Sequence, residues 1–148
     1  MALYFGDKKV QINSGTPVNG NNESYVDVLV ETTITEFKSR TIRSVGQYGL
    51  AYQHYLKKID LESVEIIEKS AFMNDYVLDT LIIRTPKVCE LPNNLTMHQN
   101  NGYIFWNTPI ENGTGFIYVP DDLVNKYKSH TNWCLFSDQI KPISELGE

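Results

Sequence analysis

The sequence predicts an α+β solenoid of short stacked repeats, with an extended β arm at one end and a cap at the other. Apolar residues recur with a period of 22 over residues 34–91. A stretch rich in Gly, Asn and Ser, residues 13–22, separates this region from a β-rich N-terminal segment. A chain of 148 residues that is 41% hydrophobic and 21% charged has the composition of a folded protein with its own core.

The period emerges when the chain is aligned with itself at an offset of 22 residues. Six pairs of apolar residues coincide: Ile42 and Val64, Val45 and Ile67, Leu50 and Phe72, Leu56 and Leu78, Ile59 and Leu81, Leu61 and Ile83. A half-repeat with Ile34 and Phe37 precedes them, and Val88 and Leu91 follow after a slip of two residues. Because such a short unit cannot bury its own apolar side, neighbouring units must stack and share one core.

Each unit is expected to hold one short strand and one helical or irregular return. Lys58–Leu61 and Thr80–Ile83 are the predicted strands. Alternate strand residues point to opposite faces. The outward set is therefore expected to meet solvent or a partner: Lys58, Asp60, Thr80 and Ile82.

Residues 1–33 are predicted to form an N-terminal β arm and a polar linker. Two short strands joined by a turn are expected within residues 1–12, a linker at 13–22, and further β structure at 25–31. The apolar residues expected to dock this arm onto a partner or a sister chain are Leu3, Tyr4, Phe5, Val10 and Ile12.

From about residue 92 the pattern changes to that of a cap, which an array of repeats needs to cover its last apolar layer. Strands are predicted at Gly102–Trp106 and, after a turn at 112–115, at Phe116–Val119. Asp121 and Asp122 are expected at a helix N-terminus. Apolar residues of this helix and of a second cluster follow: Leu123, Val124, Tyr127, Trp133 and Phe136.

The second repeat, Ser63–Ile83, carries Ala71-Phe72 followed by Leu78, Leu81 and Ile83, and it resembles the BspA-type leucine-rich repeat. The first repeat departs from that pattern with Gly49-Leu50, and Asn74-Asp75 stands where the family has Asn-Cys. Segments within residues 108–142 resemble the cap that ends such arrays in bacteriophage structural proteins and Gram-positive surface proteins. The resemblance covers residues 34–148 and implies a leucine-rich-repeat domain.

The resemblance also implies a role in assembly or adhesion, by analogy between folds. The first hypothesis is a non-enzymatic virion structural protein of a bacteriophage, a fibre, baseplate or capsid-decoration component made in the host cytoplasm. Its arm, residues 1–33, would dock to other virion proteins or to sister chains in a homo-oligomer. The alternatives are a host-surface adhesin that binds cell-wall polysaccharide and a cell-wall-degrading enzyme.

Tyrosines supply the candidate interaction surface. Tyr48, Tyr52 and Tyr55 follow the i, i+4, i+7 spacing that places side chains on one helix face. Such a face either packs internally or contacts a ligand, since tyrosine is enriched at interfaces. A second candidate patch consists of Tyr103, Phe105 and Trp106.

Composition argues against several other functions. A net charge of −5 and a pI near 5.2 do not suit nucleic-acid binding. No apolar run approaches the roughly 20 residues of a membrane span.

No cofactor, metal or catalytic group is expected either, because the cysteines and histidines lack ligand or triad spacing. Cys89 and Cys134 are expected to be reduced thiols packed as small apolar groups, with a disulfide as the alternative. Glu62, Glu65 and Glu68 are expected on a solvated edge.

Overall fold

The structure, a computed structural model, describes residues 32–92 and 100–148 together with strand backbones at 3–5, 8–10, 12–13, 25–26 and 28–29. The strands are β1 Leu3–Phe5, β2 Lys8–Val10, β3 Ile12–Asn13, β4 Tyr25–Val26, β5 Val28–Leu29, β6 Glu36–Ser39, β7 Ser44–Val45, β8 Lys58–Leu61, β9 Ile66–Ile67, β10 Thr80–Ile83, β11 Phe116–Val119 and β12 Ile140–Pro142. The helices are α1 Asn100–Tyr103, α2 Pro109–Asn112 and α3 Val124–Ser129, with 3-10 turns at Asp121–Leu123, Cys134–Gln139 and Ile143–Leu146.

The main sheet has five parallel strands in the order β12-β11-β10-β8-β6. Lys58 lies opposite Glu36 on one side and Thr80 on the other, so the register of the first three strands repeats the sequence period of 22. One inward row runs through all five strands and is buried throughout: Phe37, Ile59, Leu81, Ile117 and Ile140. The predicted strands Lys58–Leu61, Thr80–Ile83 and Phe116–Val119 are confirmed.

A second, narrower parallel sheet has the order β4-β7-β9. Ser44 pairs with Ile66 at the same spacing of 22, and Ile66 then forms a single bridge to Glu90, 24 residues on. The predicted slip of two residues is therefore visible in the pairing. Because β4 pairs with β7, this part of the predicted arm adds a strand to the second sheet.

The third side of each unit consists of turns rather than a helix. We name them the first turn, residues 48–55, the second turn, 70–77, and the third turn, 103–107. The N–H groups of Leu50 and Tyr52 donate to the carbonyls of Ala71 and Met73, both at 2.9 Å. A helix would use these N–H groups internally, so the prediction that Tyr48, Tyr52 and Tyr55 share a helix face is wrong.

The predicted strand at Gly102–Trp106 is also wrong, because Gly102 and Tyr103 end helix α1 and residues 103–107 form the third turn. The N–H groups of Phe72 and Asn74 donate to the carbonyls of Ile104 and Trp106 at 3.0 and 2.8 Å. Phe105 occupies the position of Phe72, 33 residues earlier, and the two rings stack with centroids 5.5 Å apart. Ile104 and Phe105 are both buried, so the apolar run of this segment reflects burial in the core and not a strand.

The predicted cap closes the core with aromatic side chains and also adds β11 and β12 to the main sheet. Trp133 and Phe136 pack against Phe105, and Tyr127 lies edge-on to Trp133 at 5.1 Å. Trp133 Nε1 donates to the carbonyl of Cys89 at 2.7 Å, and the Cys89 N–H donates to Tyr127 Oη at 2.8 Å. The expected burial of Leu123 and Tyr127 is confirmed.

The outward face of the main sheet is only partly as predicted. Lys58 and Thr80 are half-buried, but Asp60 and Ile82 are buried. Asp60 is covered by the guanidinium of Arg84, which also pairs with Glu148. Ile82 stands in register between Asp60 and Tyr118, away from the rim of the sheet. Assignment of the stacked units to a leucine-rich-repeat solenoid stays a prediction.

Candidate binding surface

The exposed large apolar side chains of residues 32–92 and 102–148 all belong to the three stacked turns. They are Tyr48, Tyr52, Tyr55, Tyr76, Val77 and Trp106, each between 37% and 58% exposed. We call this set, with the half-buried Tyr103, the aromatic strip. Clustered exposure of large apolar groups is typical of binding sites, whereas single exposed residues are ordinary.

Five of the six rings of the strip make ring contacts with a neighbour. Tyr48 stacks on Tyr52 with centroids 6.4 Å apart, and Tyr103 meets the edge of Trp106 at 5.2 Å. In the second turn, Tyr76 is stacked by the His54 ring at 5.2 Å. Each turn therefore presents aromatic surface whose orientation is restricted before any ligand arrives.

The turns are also bonded to one another by exposed side chains. The Tyr52 hydroxyl donates to Met73 Sδ at 3.7 Å, and the Asn107 side-chain amide donates to Asn74 Oδ1 at 2.7 Å. Together with the backbone bonds between successive turns, these contacts fix the spacing of the rings. The strip is consequently a rigid feature of the stack.

Backbone conformation at the turns is unusual. Tyr48, Tyr52 and Tyr103 have positive φ angles of 59°, 61° and 60°. The equivalent positions in the other turns are also left-handed and include Ser70, Asn74 and Asn107. Asparagine tolerates this region, whereas a bulky residue there is strained. Three of these six left-handed positions nevertheless carry the bulky side chain of tyrosine.

Formal charge is scarce along the strip. The first and third turns contain no Asp, Glu, Lys or Arg, and the second contains only Asp75. Lys69 and Glu111 stand at the border, where the Glu111 carboxylate accepts the Asn107 N–H at 2.9 Å.

Asp75 itself is buried. Its Oδ1 accepts the N–H of Gln53 at 2.7 Å, and its Oδ2 accepts no hydrogen bond within the described part of the chain. Burial raises the pKa of Asp75 well above its usual value of 3.8, and the Gln53 N–H opposes that rise. The exposed surface of the turns is therefore aromatic and amide in character.

A concave feature lies elsewhere, at the corner between the two sheets. A cleft of about 560 Å³ is lined by Arg43, Glu62, Ser63, Glu65, Ile66, Thr85, Pro86, Lys87, Val88 and Glu90. It lies where the chain between Ile83 and Val88 has two residues more than the equivalent corner of the previous unit. Glu62 and Glu65 are exposed there, in line with the expected solvated edge.

Of the other candidate groups, Cys89 is buried and Cys134 is exposed, and both thiols are free. The expectation that both pack as small apolar groups therefore holds for Cys89 and is wrong for Cys134. Burial raises the pKa of the Cys89 thiol. His130 Nδ1 accepts the N–H of Asn132 at 3.1 Å, whereas His98 lies outside the described residues.

Residues 32–92 and 102–148 contain no cluster of His, Cys, Asp or Glu suited to a metal ion. None of the helices in the described ranges is long and apolar enough to cross a bilayer.

The predicted docking residues fall on the first three strands. Leu3, Tyr4 and Phe5 form β1, Val10 ends β2 and Ile12 begins β3. Their side chains, and the predicted linker from Ser14 onward, lie outside the described residues. Docking by this arm stays a prediction.

Sequence reasoning identified much of the aromatic strip but with two errors. Phe105 was expected in the second patch, and it is buried because it continues the inward row of Leu50 and Phe72. Tyr76 and Val77 were missed, although they stand 22 residues after His54 and Tyr55 and the period alone could have found them.

No protein-family model, no curated protein and no solved structure matches the chain.

Proposed function

We propose that this chain is a non-catalytic structural protein of a bacteriophage particle, built as a short leucine-rich-repeat solenoid that presents a binding surface. The single observation that carries the binding role is the concentration of the exposed large apolar side chains on three stacked turns. The virion assignment rests on the resemblance of segments within residues 108–142 to the cap that ends such arrays in bacteriophage structural proteins and Gram-positive surface proteins.

The parts of the chain suit that role. Backbone hydrogen bonds between successive units, and an inward row buried through five strands, make a rigid body. Recognition residues placed on turns above such a body can vary without disturbing the core. The strand backbones of residues 3–13 provide the element that would dock this body to the particle.

The direct test is protein mass spectrometry of density-purified particles made by the phage genome that encodes the chain. We expect the chain in the particles at a fixed ratio to the major capsid or tail protein. Its confinement to the lysate supernatant, with other virion proteins recovered, would refute the virion assignment.

Light scattering tests the docking arm. A chain that begins at Glu23 loses β1, β2 and β3 but keeps β4, which pairs with β7. We expect the full chain to form an oligomer and the shortened chain to be a monomer. The far-UV circular dichroism spectrum of the shortened chain should still be that of a folded protein. The same number of chains per particle in the full-length and shortened samples would contradict self-association through the arm.

A further inference from the structure

We infer that the aromatic strip binds an uncharged glycan chain, which lies across the three turns. This inference rests on the proposed role of the chain as a binding protein and names the chemical class of its ligand.

Ring geometry is the first argument. A pyranose ring has an apolar face of C–H groups that packs against an aromatic ring, while its hydroxyls need hydrogen-bond partners at the edge. Tyr52, Tyr76 and Trp106 provide one exposed ring from each turn. Stacked β units repeat at about 4.8 Å, so the first and third turns are roughly 10 Å apart, a distance that a short oligosaccharide spans.

Polarity is the second argument. The hydroxyls of the sugar would find amide and phenol groups along the strip. One of these is the exposed Asn107 amide of the third turn, which donates to Asn74 of the second turn. No Lys, Arg, Asp or Glu of the turns is exposed, because Asp75 is buried. An acidic polysaccharide would find no cation among the ring-bearing residues, so a neutral glycan is the better match.

The size of the strip favours a glycan over a protein as its ligand. A stable protein interface buries about 800 Å² on each partner. The strip is three turns high, and its rings already cover part of one another. A linear ligand can lie along this height and contact one ring per turn, whereas a protein would need additional surface.

Backbone strain is the third argument. Asn74 and Asn107 show that asparagine fits the left-handed position that Tyr52 occupies in the first turn. Tyrosine at φ 61° is less favourable there. Its presence is explained if the exposed ring is used to bind a ligand.

The same equivalence gives a clean test. Tyr52→Asn removes a ring and places in the first turn the residue found in the other two, so the fold should be retained. Trp106→Ala removes the ring of the third turn. Lys87→Asn, an exposed change in the charged cleft on another side, is the matched control. Thermal unfolding of each full-length variant checks that it is folded.

The assay is binding of the immobilised full chain to a glycan array that holds neutral β-glucan, α-glucan, mannan and N-acetylglucosamine oligomers beside acidic glycans. We expect binding to at least one neutral class, about tenfold weaker in Tyr52→Asn and in Trp106→Ala and unchanged in Lys87→Asn. Binding to no neutral glycan, binding to acidic glycans alone, or equal binding by all variants would overturn the inference.

A protein ligand has a different signature. Loss of attachment to other proteins of the particle in Tyr52→Asn, with no glycan bound by the parent chain, would also overturn the inference. The presence of the chain in purified particles is measured independently, so failure of the glycan inference and failure of the virion assignment can be told apart.

Discussion

Arg84 bridges two carboxylates that differ in burial, and replacing it tests how the outward face of the main sheet is stabilised. Its Nε and Nη2 donate to Asp60 at 2.8 and 3.1 Å, and its Nη1 and Nη2 donate to Glu148 at 2.6 and 2.8 Å. The Asp60 side chain is 3% exposed and that of Glu148 is 47% exposed. The two ion pairs therefore contribute differently to stability.

The variant Arg84→Met keeps most of the apolar stem and removes the cation. It leaves the Asp60 carboxylate buried without a counter-ion, which costs about 3–5 kcal/mol for a fully buried pair. The Arg84 side chain is 27% exposed, so water can partly replace the guanidinium. We therefore expect the free energy of unfolding to fall by about 3 kcal/mol, the lower end of that range.

Urea unfolding at pH 7, followed by circular dichroism, measures this loss. The double variant Arg84→Met/Asp60→Asn has no buried charge and should recover about 2 kcal/mol of it. Glu148→Gln removes only the exposed partner and should unfold like the parent chain. A loss below about 1 kcal/mol in Arg84→Met, or no recovery in the double variant, would show that Asp60 does not depend on this cation.

Three further predictions concern Asp75, Gly115 and the thiols. Because burial raises the pKa of Asp75 in the folded state, its neutral form stabilises the fold below about pH 3.8 and that stabilisation is lost as the pH rises toward the folded-state pKa. The free energy of unfolding of the parent chain should fall by up to about 1.4 kcal/mol per pH unit in that window relative to Asp75→Asn. Urea unfolding at successive pH values measures this difference, and the same pH dependence in both proteins would contradict the prediction. Gly115→Ala should lower the free energy of unfolding by about 1–3 kcal/mol, because a Cβ would lie 3.0 Å from the carbonyl oxygen of Asp79 and 2.9 Å from the Ile110 nitrogen. A thermal unfolding midpoint equal to that of the parent chain would contradict this prediction. A thiol reagent should modify exposed Cys134 in the native protein and buried Cys89 only in urea. Mass spectrometry of the peptides locates the modified thiol, and modification of Cys89 before Cys134 would contradict this prediction.

The repeat period was the most informative part of the sequence, because it reflects geometry directly. Strands that stack in register must place equivalent residues one unit apart, so the spacing of 22 between Ile59 and Leu81 predicted their pairing. The slip of two residues likewise predicted the bridge between Ile66 and Glu90. These predictions depended only on which positions are buried, and the positions of apolar residues in the sequence indicate this well.

The return segments could not be predicted in the same way. Spacing of i, i+4, i+7 favours a helix only if the backbone N–H groups bond within the segment. In the first turn the N–H groups of Leu50 and Tyr52 bond to the second turn instead, and Tyr48 and Tyr52 adopt left-handed backbone. The burial of Asp60 was equally hidden, because it depends on Arg84, which directly follows the adjacent strand β10, and on Glu148, 64 positions beyond Arg84.

The location of the aromatic strip follows from how stacked units divide their surfaces. Each unit has two sides that form sheets, and these are occupied by paired strands, by the ion pairs around Arg84 and by the charged corner cleft. Within residues 32–92 and 102–148, the most exposed large apolar side chains stand on the turn side instead. The left-handed positions recur there in every turn, and asparagine satisfies them in two of three turns at the position of Tyr52. A chain under selection for stability alone would place asparagine or glycine at that position in the first turn as well. The tyrosine that stands there is therefore best explained by ligand binding, and Tyr52→Asn should weaken binding while leaving stability equal to or above that of the parent chain.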